Sequence, residues 1–187
     1  MSSPARKRPV LSPERATREQ VDFILGGGFI PRHLRQAYSE ATNTLVATVA
    51  PAFADREMIR IHGDCHFANL IYRPGESFYL IDFDDMAMGP PVQDLWMLLP
   101  GRAHESALEI ELFLEGYETF RRFDRISLDL IEGLRAMRYI HYCAWCARQA
   151  ADGGFSRLAP DWGTPAYWTQ EIRDLEEQLE RIRGEIV

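Results

Sequence analysis

The sequence predicts an α+β fold that is mostly helical, with a small β element near its middle. Three observations carry this expectation. Apolar residues recur at three- and four-residue steps over most of the chain. Two short apolar runs, 58–62 and 77–82, lie on either side of a turn at Pro74-Gly75. The chain has 187 residues, long enough to bury a sizeable core as one compact unit.

Taken in order, residues 1–18 are rich in Ser, Pro and Arg without apolar period and are expected to form an extended or disordered basic lead-in, with the rest, 19–187, forming one lobe. Val21, Phe23, Ile24 and Leu25 predict a short helix ended by Gly26-Gly27-Gly28, a cap and linker that lacks the Lys-Ser/Thr of a phosphate loop. From Pro31 to residue 53, Leu34, Tyr38, Ala41, Leu45, Val46 and Val49 keep a helical period, with proline at the start. The strands at 58–62 and 77–82 follow. Helices are then expected over about 91–99, 104–122, 127–151 and 165–183, their aromatic and aliphatic positions mostly core. The acidic and basic residues of the last helix, Glu171 and Asp174 among them, read as a solvated face with intrahelical pairs.

The composition excludes several classes of function. A formal net charge of -7 repels phosphate backbones and anionic headgroups, so neither nucleic acid nor membrane surface is expected as a partner. No window approaches the ~20 apolar residues of a membrane span. Three cysteines without regular spacing predict a reducing, cytoplasmic setting. Cys143 and Cys146 have redox-motif spacing but lie inside a helical pattern, so buried thiols are expected rather than a redox pair or a zinc site with His141. Of the 21 basic residues only Lys7 is a lysine.

The chemistry concentrates between positions 62 and 94. The segment His62-Gly63-Asp64-Cys65-His66-Phe67-Ala68-Asn69 leaves a strand, and thirteen residues later a second strand ends in Asp82-Phe83-Asp84-Asp85. Crowded carboxylates raise one another's pKa unless a cation joins them. Asp64, Asn69 and Asp82 supply hard oxygens suited to Mg²⁺ completed by substrate phosphates. In phosphoryl transfer one Asp orients the attacking hydroxyl while an Asn and a second Asp hold metal, and this spacing fits those roles. The plainer readings are Asx turns for Asp64 and Asn69, a capping carboxylate for Asp85, and a helix N-terminal charge for Asp94. His66 reads either as a substrate contact or as a hydrogen-bonded loop histidine. A metallophosphatase reading of Gly63-Asp64-Cys65-His66 lacks its later Gly-Asn-His.

These motifs resemble the catalytic and metal loops of the aminoglycoside phosphotransferase/protein-kinase-like superfamily, and the string HGDCHFANLIYR…LIDFDDMAMGPPVQDLWMLLPG is closer still to its bacterial serine/threonine kinases of the stress-response type. The resemblance runs from about Arg8 to the last helix. It implies a protein-kinase-like C-terminal lobe in which a short β-hairpin carries both loops. By the same resemblance Asp64 is the catalytic base, Asn69 and Asp82 are Mg²⁺ ligands, and His62 orients the loop. Asp94 accepts hydrogen bonds from the catalytic-loop backbone, and Ile71 and Ile81 form the floor under the adenine of ATP. Asp84 stands where protein kinases carry the glycine of Asp-Phe-Gly.

The implied reaction is ATP- and Mg²⁺-dependent phosphorylation of a Ser or Thr hydroxyl of a protein. A small alcohol such as an aminoglycoside, homoserine or choline is the alternative acceptor, and a non-catalytic binding module the alternative from another class. No glycine-rich strand-turn-strand precedes His62 and no lysine follows Lys7, so the N-terminal lobe is expected to be absent and the chain nearly inactive alone. An apolar face turned toward such a lobe is expected to favour docking on an N-lobe partner or self-association.

Overall fold

The computed structural model describes residues 9–153 and 160–186. Its helices are α1 (Arg18–Gly26), α2 (Arg35–Phe53), α3 (Val92–Trp96), α4 (Ala107–Glu118), α5 (Ile131–Ala151) and α6 (Pro165–Arg183). Its strands are β1 (Ile59–Ile61), β2 (Leu70–Tyr72), β3 (Phe78–Leu80) and β4 (Ala87–Gly89). The chain divides into two compact units, one formed by 1–11 with 55–131 and the other by 12–54 with 132–187. Among the described residues no helix is long and apolar enough to cross a membrane.

The helical unit is built on α2 packed against α6. Tyr38 and Trp168, both fully buried, meet edge to face with ring centroids 5.5 Å apart. α5 passes α2 where it has no side chain: a Cβ on Gly133 would come within 2.9 Å of Val49 Cγ1. Buried Gln178 of α6 donates Nε2 to the Glu132 carbonyl at 3.0 Å, which satisfies an amide in an otherwise apolar layer. The bounds of α6 follow from local chemistry: Thr164 caps it through the Tyr167 N–H, Pro165 opens it, and Gly184 ends it at φ +73°. Cys143 and Cys146 are buried on α5.

Three features depart from the sequence pattern. Of the lead-in, residues 1–8 lie outside the described residues, but Pro13–Thr17 is a π-helical turn because Ser12 accepts the Arg15 N–H and Pro13 sits at the first helical position. α2 begins at Arg35 rather than at Pro31, whose carbonyl instead closes a turn with the Leu34 N–H at 2.9 Å. Glu171, read as part of a solvated face, is half-buried, and that burial raises its carboxyl pKa above the usual range.

The other unit holds the strands. β1 pairs antiparallel with β4, Ile59 opposite Gly89 and Ile61 opposite Ala87. β2 and β3 form a separate antiparallel hairpin, Leu70 opposite Leu80 and Tyr72 opposite Phe78, closed by the Pro74-Gly75 turn. The runs at 58–62 and 77–82 therefore do not pair with each other. Each takes a three-residue partner too short to show a period of its own. Val10 bridges Met88 in parallel, so the chain start adds a third line to the β1–β4 ribbon. Outside, the hairpin is apolar: Ile71, Tyr72, Phe78 and Tyr79 are all exposed, and the Tyr72 and Phe78 rings lie 4.9 Å apart.

Candidate active site

β1 buries its last residue, Ile61, and passes directly into the polar loop 62–69. His62, 4% exposed, places Nε2 2.9 Å from the Ile81 carbonyl oxygen. A carbonyl can only accept, so Nε2 carries the proton and Nδ1 is left to accept the Asp64 N–H at 3.4 Å. One imidazole thus ties the loop to the end of β3. Its ring also meets Phe83, with centroids 4.9 Å apart.

Gly63 takes φ +89°, and a Cβ there would lie 2.3 Å from the Asp85 carbonyl oxygen. Only glycine admits both the left-handed turn and this approach. Asp94, on α3, faces the same turn. Its Oδ2 accepts the His62 N–H at 2.7 Å and its Oδ1 the Gly63 N–H at 2.9 Å. Burial raises the Asp94 pKa, the two backbone N–H groups and the His62 ring oppose it, and the balance stays above the ordinary carboxylate range.

Asn69 closes the loop. Its Nδ2 donates to the Asp64 carbonyl at 2.9 Å, and its own backbone carbonyl accepts the Ile81 N–H at 3.0 Å. Because Nδ2 is committed inside the loop, Oδ1 is the end left to act as a donor toward a cation. Asp82 follows Ile81 at once, exposed, with φ +62°. Both backbone groups of Ile81 are therefore held by the 62–69 loop, and Asp82 is the next residue along the chain. His66 caps the 3₁₀ turn Phe67–Asn69 through Nδ1 and sets Nε2 3.4 Å from Asp64 Oδ2. Ile71, in β2, and Ile81, just past β3, are 44% and 40% exposed. Asp84 and Asp85 are exposed.

Two groups escaped the sequence reading. Gln93, 5% exposed, donates Nε2 to the Gly63 carbonyl at 2.8 Å and accepts the Trp96 indole N–H at 3.0 Å. The available signal was an amide beside Asp94 inside an otherwise apolar helical stretch. Cys65 sits buried inside the loop, its thiol pushed up to about 11 by burial, with Asp94 and Asp64 adding to the shift.

Two carboxylates and a carboxamide are oxygen donors of the right kind for a hard divalent ion. Among the described residues no three His, Cys, Asp or Glu side chains stand together to hold a metal by themselves.

A helical body with a short hairpin, and a strand-end loop clamped by a helix-borne aspartate, define the class: a kinase-like phosphotransferase lobe. The phosphotransferase enzyme family model matches residues 4–131, and the chain belongs to that family. Stress response kinase A of Escherichia coli strain K12 is 41% identical over 155 residues, which cover 82% of this chain and 47% of that protein. Serine/threonine protein kinase RdoA of Salmonella typhimurium strain LT2 is 39% identical over 150 residues, 80% of this chain and 45% of that protein. The chain spans about half the length of these curated relatives. Among solved structures, a choline/ethanolamine kinase family protein of Mesorhizobium loti matches 96% of this chain and 58% of its own, with a TM-score of 0.56 at 16% identity. A spectinomycin phosphotransferase in complex with ADP and spectinomycin matches 94% and 58%, with a TM-score of 0.52 at 18% identity. These two likenesses concern the fold.

Proposed function

We propose that this lobe serves ATP- and Mg²⁺-dependent transfer of a phosphoryl group to a Ser or Thr hydroxyl of a protein. One observation supports the reading: Asn69 binds the Asp64 carbonyl with its side chain and the Ile81 N–H with its backbone, so Asp64 and Asn69 share one hydrogen-bonded loop with the residue that precedes Asp82. In this scheme Asp64 accepts the proton of the acceptor hydroxyl and aims its oxygen. Asn69 Oδ1 and the Asp82 carboxylate would hold Mg²⁺, which when bound neutralises charge on the phosphate oxygens. His62, Asp94 and Gln93 hold the loop in place. Ile71 and Ile81 give the adenine an apolar floor on the exposed side of the hairpin. Three free, buried thiols suit a cytoplasmic setting.

Within these 187 residues the only lysine is Lys7, so no lysine follows to grip the nucleotide phosphates. The chain by itself is therefore expected to turn over ATP very slowly. The experiment joins it to the N-terminal half of a relative and measures phosphate incorporation from ATP, with Asp64→Asn as the variant. A loss of roughly 10²–10⁴-fold is expected for removal of a general base. An unchanged rate would defeat the base assignment. Label in protein rather than in an aminoglycoside, choline or homoserine decides the acceptor class.

A further inference from the structure

The strand-bearing unit contains a cavity that the phosphotransfer scheme does not use. It measures about 640 Å³, and its wall includes three arginines from one short stretch, Arg121, Arg122 and Arg125, with Glu57, Glu118 and Asp124. Pockets that hold small ligands commonly have this volume, and six of the eight residues that line this one carry a charge. Its polarity asks for a charged ligand.

Each carboxylate of the wall has an arginine partner, although Glu118 shares Arg125 with Glu111. Glu57 pairs with Arg121, Glu118 lies 3.7 Å from Arg125, and Asp124 lies 3.8 Å from Arg56. Arg125 also commits both terminal nitrogens to Glu111, at 2.7 and 3.1 Å. What remains is donor capacity. Arg121 uses only Nη2, and Arg122 makes no hydrogen bond or ion pair among the described residues. A guanidinium presents five N–H donors in a planar fork that fits phosphate oxygens two at a time. With Arg56 and Glu111 counted, guanidinium and carboxylate charges balance around the wall, so what it offers a ligand is the unspent N–H donors of Arg122 and Arg121, which suit an anion with several acceptor oxygens.

We propose that this cavity binds a phosphomonoester dianion, with Arg122 as its principal contact and the uncommitted nitrogens of Arg121 beside it. Phe123, buried beneath the same wall, packs edge to face on Tyr117 with centroids 5.3 Å apart. Tyr117 in turn feels the charges of both Glu57 and Asp94. Glu57 stands two residues before β1, and His62 follows that strand. At ~3.3 Å per extended residue, the five steps from Glu57 to His62 span at most about 16 Å of chain. A phosphorylated residue on an extended polypeptide could sit here at a distance of four or five residues from a hydroxyl at that loop. Free inorganic phosphate offers the same chemistry.

The test is calorimetric titration of the whole chain in EDTA, which removes any metal-dependent binding at the 82–85 loop. The titrants are inorganic phosphate, a phosphoserine-containing hexapeptide and the same peptide unphosphorylated. The variants are Arg122→Ala, Arg122→Lys and, in the other unit, Arg183→Ala as control. Saturable binding of the phosphopeptide is expected, weakened at least tenfold by Arg122→Ala, less by Arg122→Lys and not by Arg183→Ala. The unphosphorylated peptide should not bind. Tighter binding of the phosphopeptide than of inorganic phosphate assigns the site to polypeptide, and equal affinity assigns it to free phosphate. Absence of saturable binding by the wild-type chain, or equal binding by Arg122→Ala, overturns the proposal.

Discussion

Asp94 holds His62 by its backbone rather than by its ring: the carboxylate Oδ2 takes the His62 N–H at 2.7 Å, and Oδ1 takes the next N–H along. The ring is thereby left free to reach the Ile81 carbonyl. A buried charge on α3 thus fixes the turn of the loop, and the loop fixes the strand end that carries Asp82.

Replacing Asp94 by Asn turns one charged acceptor into a donor and leaves a loop N–H without its partner. A cost of ~2 kcal/mol in unfolding free energy is expected. Urea denaturation of Asp94→Asn against the parent chain measures it, and a loss below ~0.5 kcal/mol would mean that the clamp is not structural.

Gly63→Ala is expected to be worse for its size. The added methyl meets the Asp85 carbonyl at 2.3 Å on a backbone of φ +89°. Left-handed strain and the clash together cost ~2–4 kcal/mol. Thermal unfolding of the variant tests this directly.

How far the fold was legible in the sequence depended on how much of each element is decided locally. The span of α6, 165–183, could be read because Thr164, Pro165 and Gly184 write both of its ends into the chain. β2 and β4 could not, since three residues show no alternation and exist as strands only through partners far along the chain. The same holds at the site. Asp64, Asn69 and Asp82 stand out because polar groups crowd a strand end, whereas Gln93 acts through a bond 30 residues away that no spacing reveals. The half-burial of Glu171 was hidden for a similar reason: its helix is charged all along, and only packing selects which carboxylate loses solvent.

That half-buried carboxylate makes stability depend on pH. Burial raises the Glu171 pKa above its ordinary 4.5, opposed by hydrogen bonds from the Cys143 thiol and the Tyr167 hydroxyl. The folded chain therefore disfavours the ionised form. The group's contribution is best below about pH 4.5 and is lost as pH rises through the raised value. Glu171→Gln is expected to raise Tm at pH 8, by ~2–4 °C for each kcal/mol relieved, and to leave it unchanged at pH 4. A lower Tm at pH 8 would contradict this.

All three cysteines are buried and free, with thiol pKa values pushed up by burial. Thiolate is the reactive form, so a disulfide reagent at pH 7.5 should label none of them in the folded chain and all three after denaturation. Rapid labelling of Cys65 in the native chain would show that the 62–69 loop opens.

The most direct measurement is paramagnetic broadening of amide resonances when Mn²⁺ and ADP are added to the chain. If Asp64, Asn69 and Asp82 surround one nucleotide-bound ion, their amides lose intensity first, and Asp82→Ala together with Asn69→Ala abolishes the effect. Broadening that spares these three amides, or that survives the double substitution, would contradict the account.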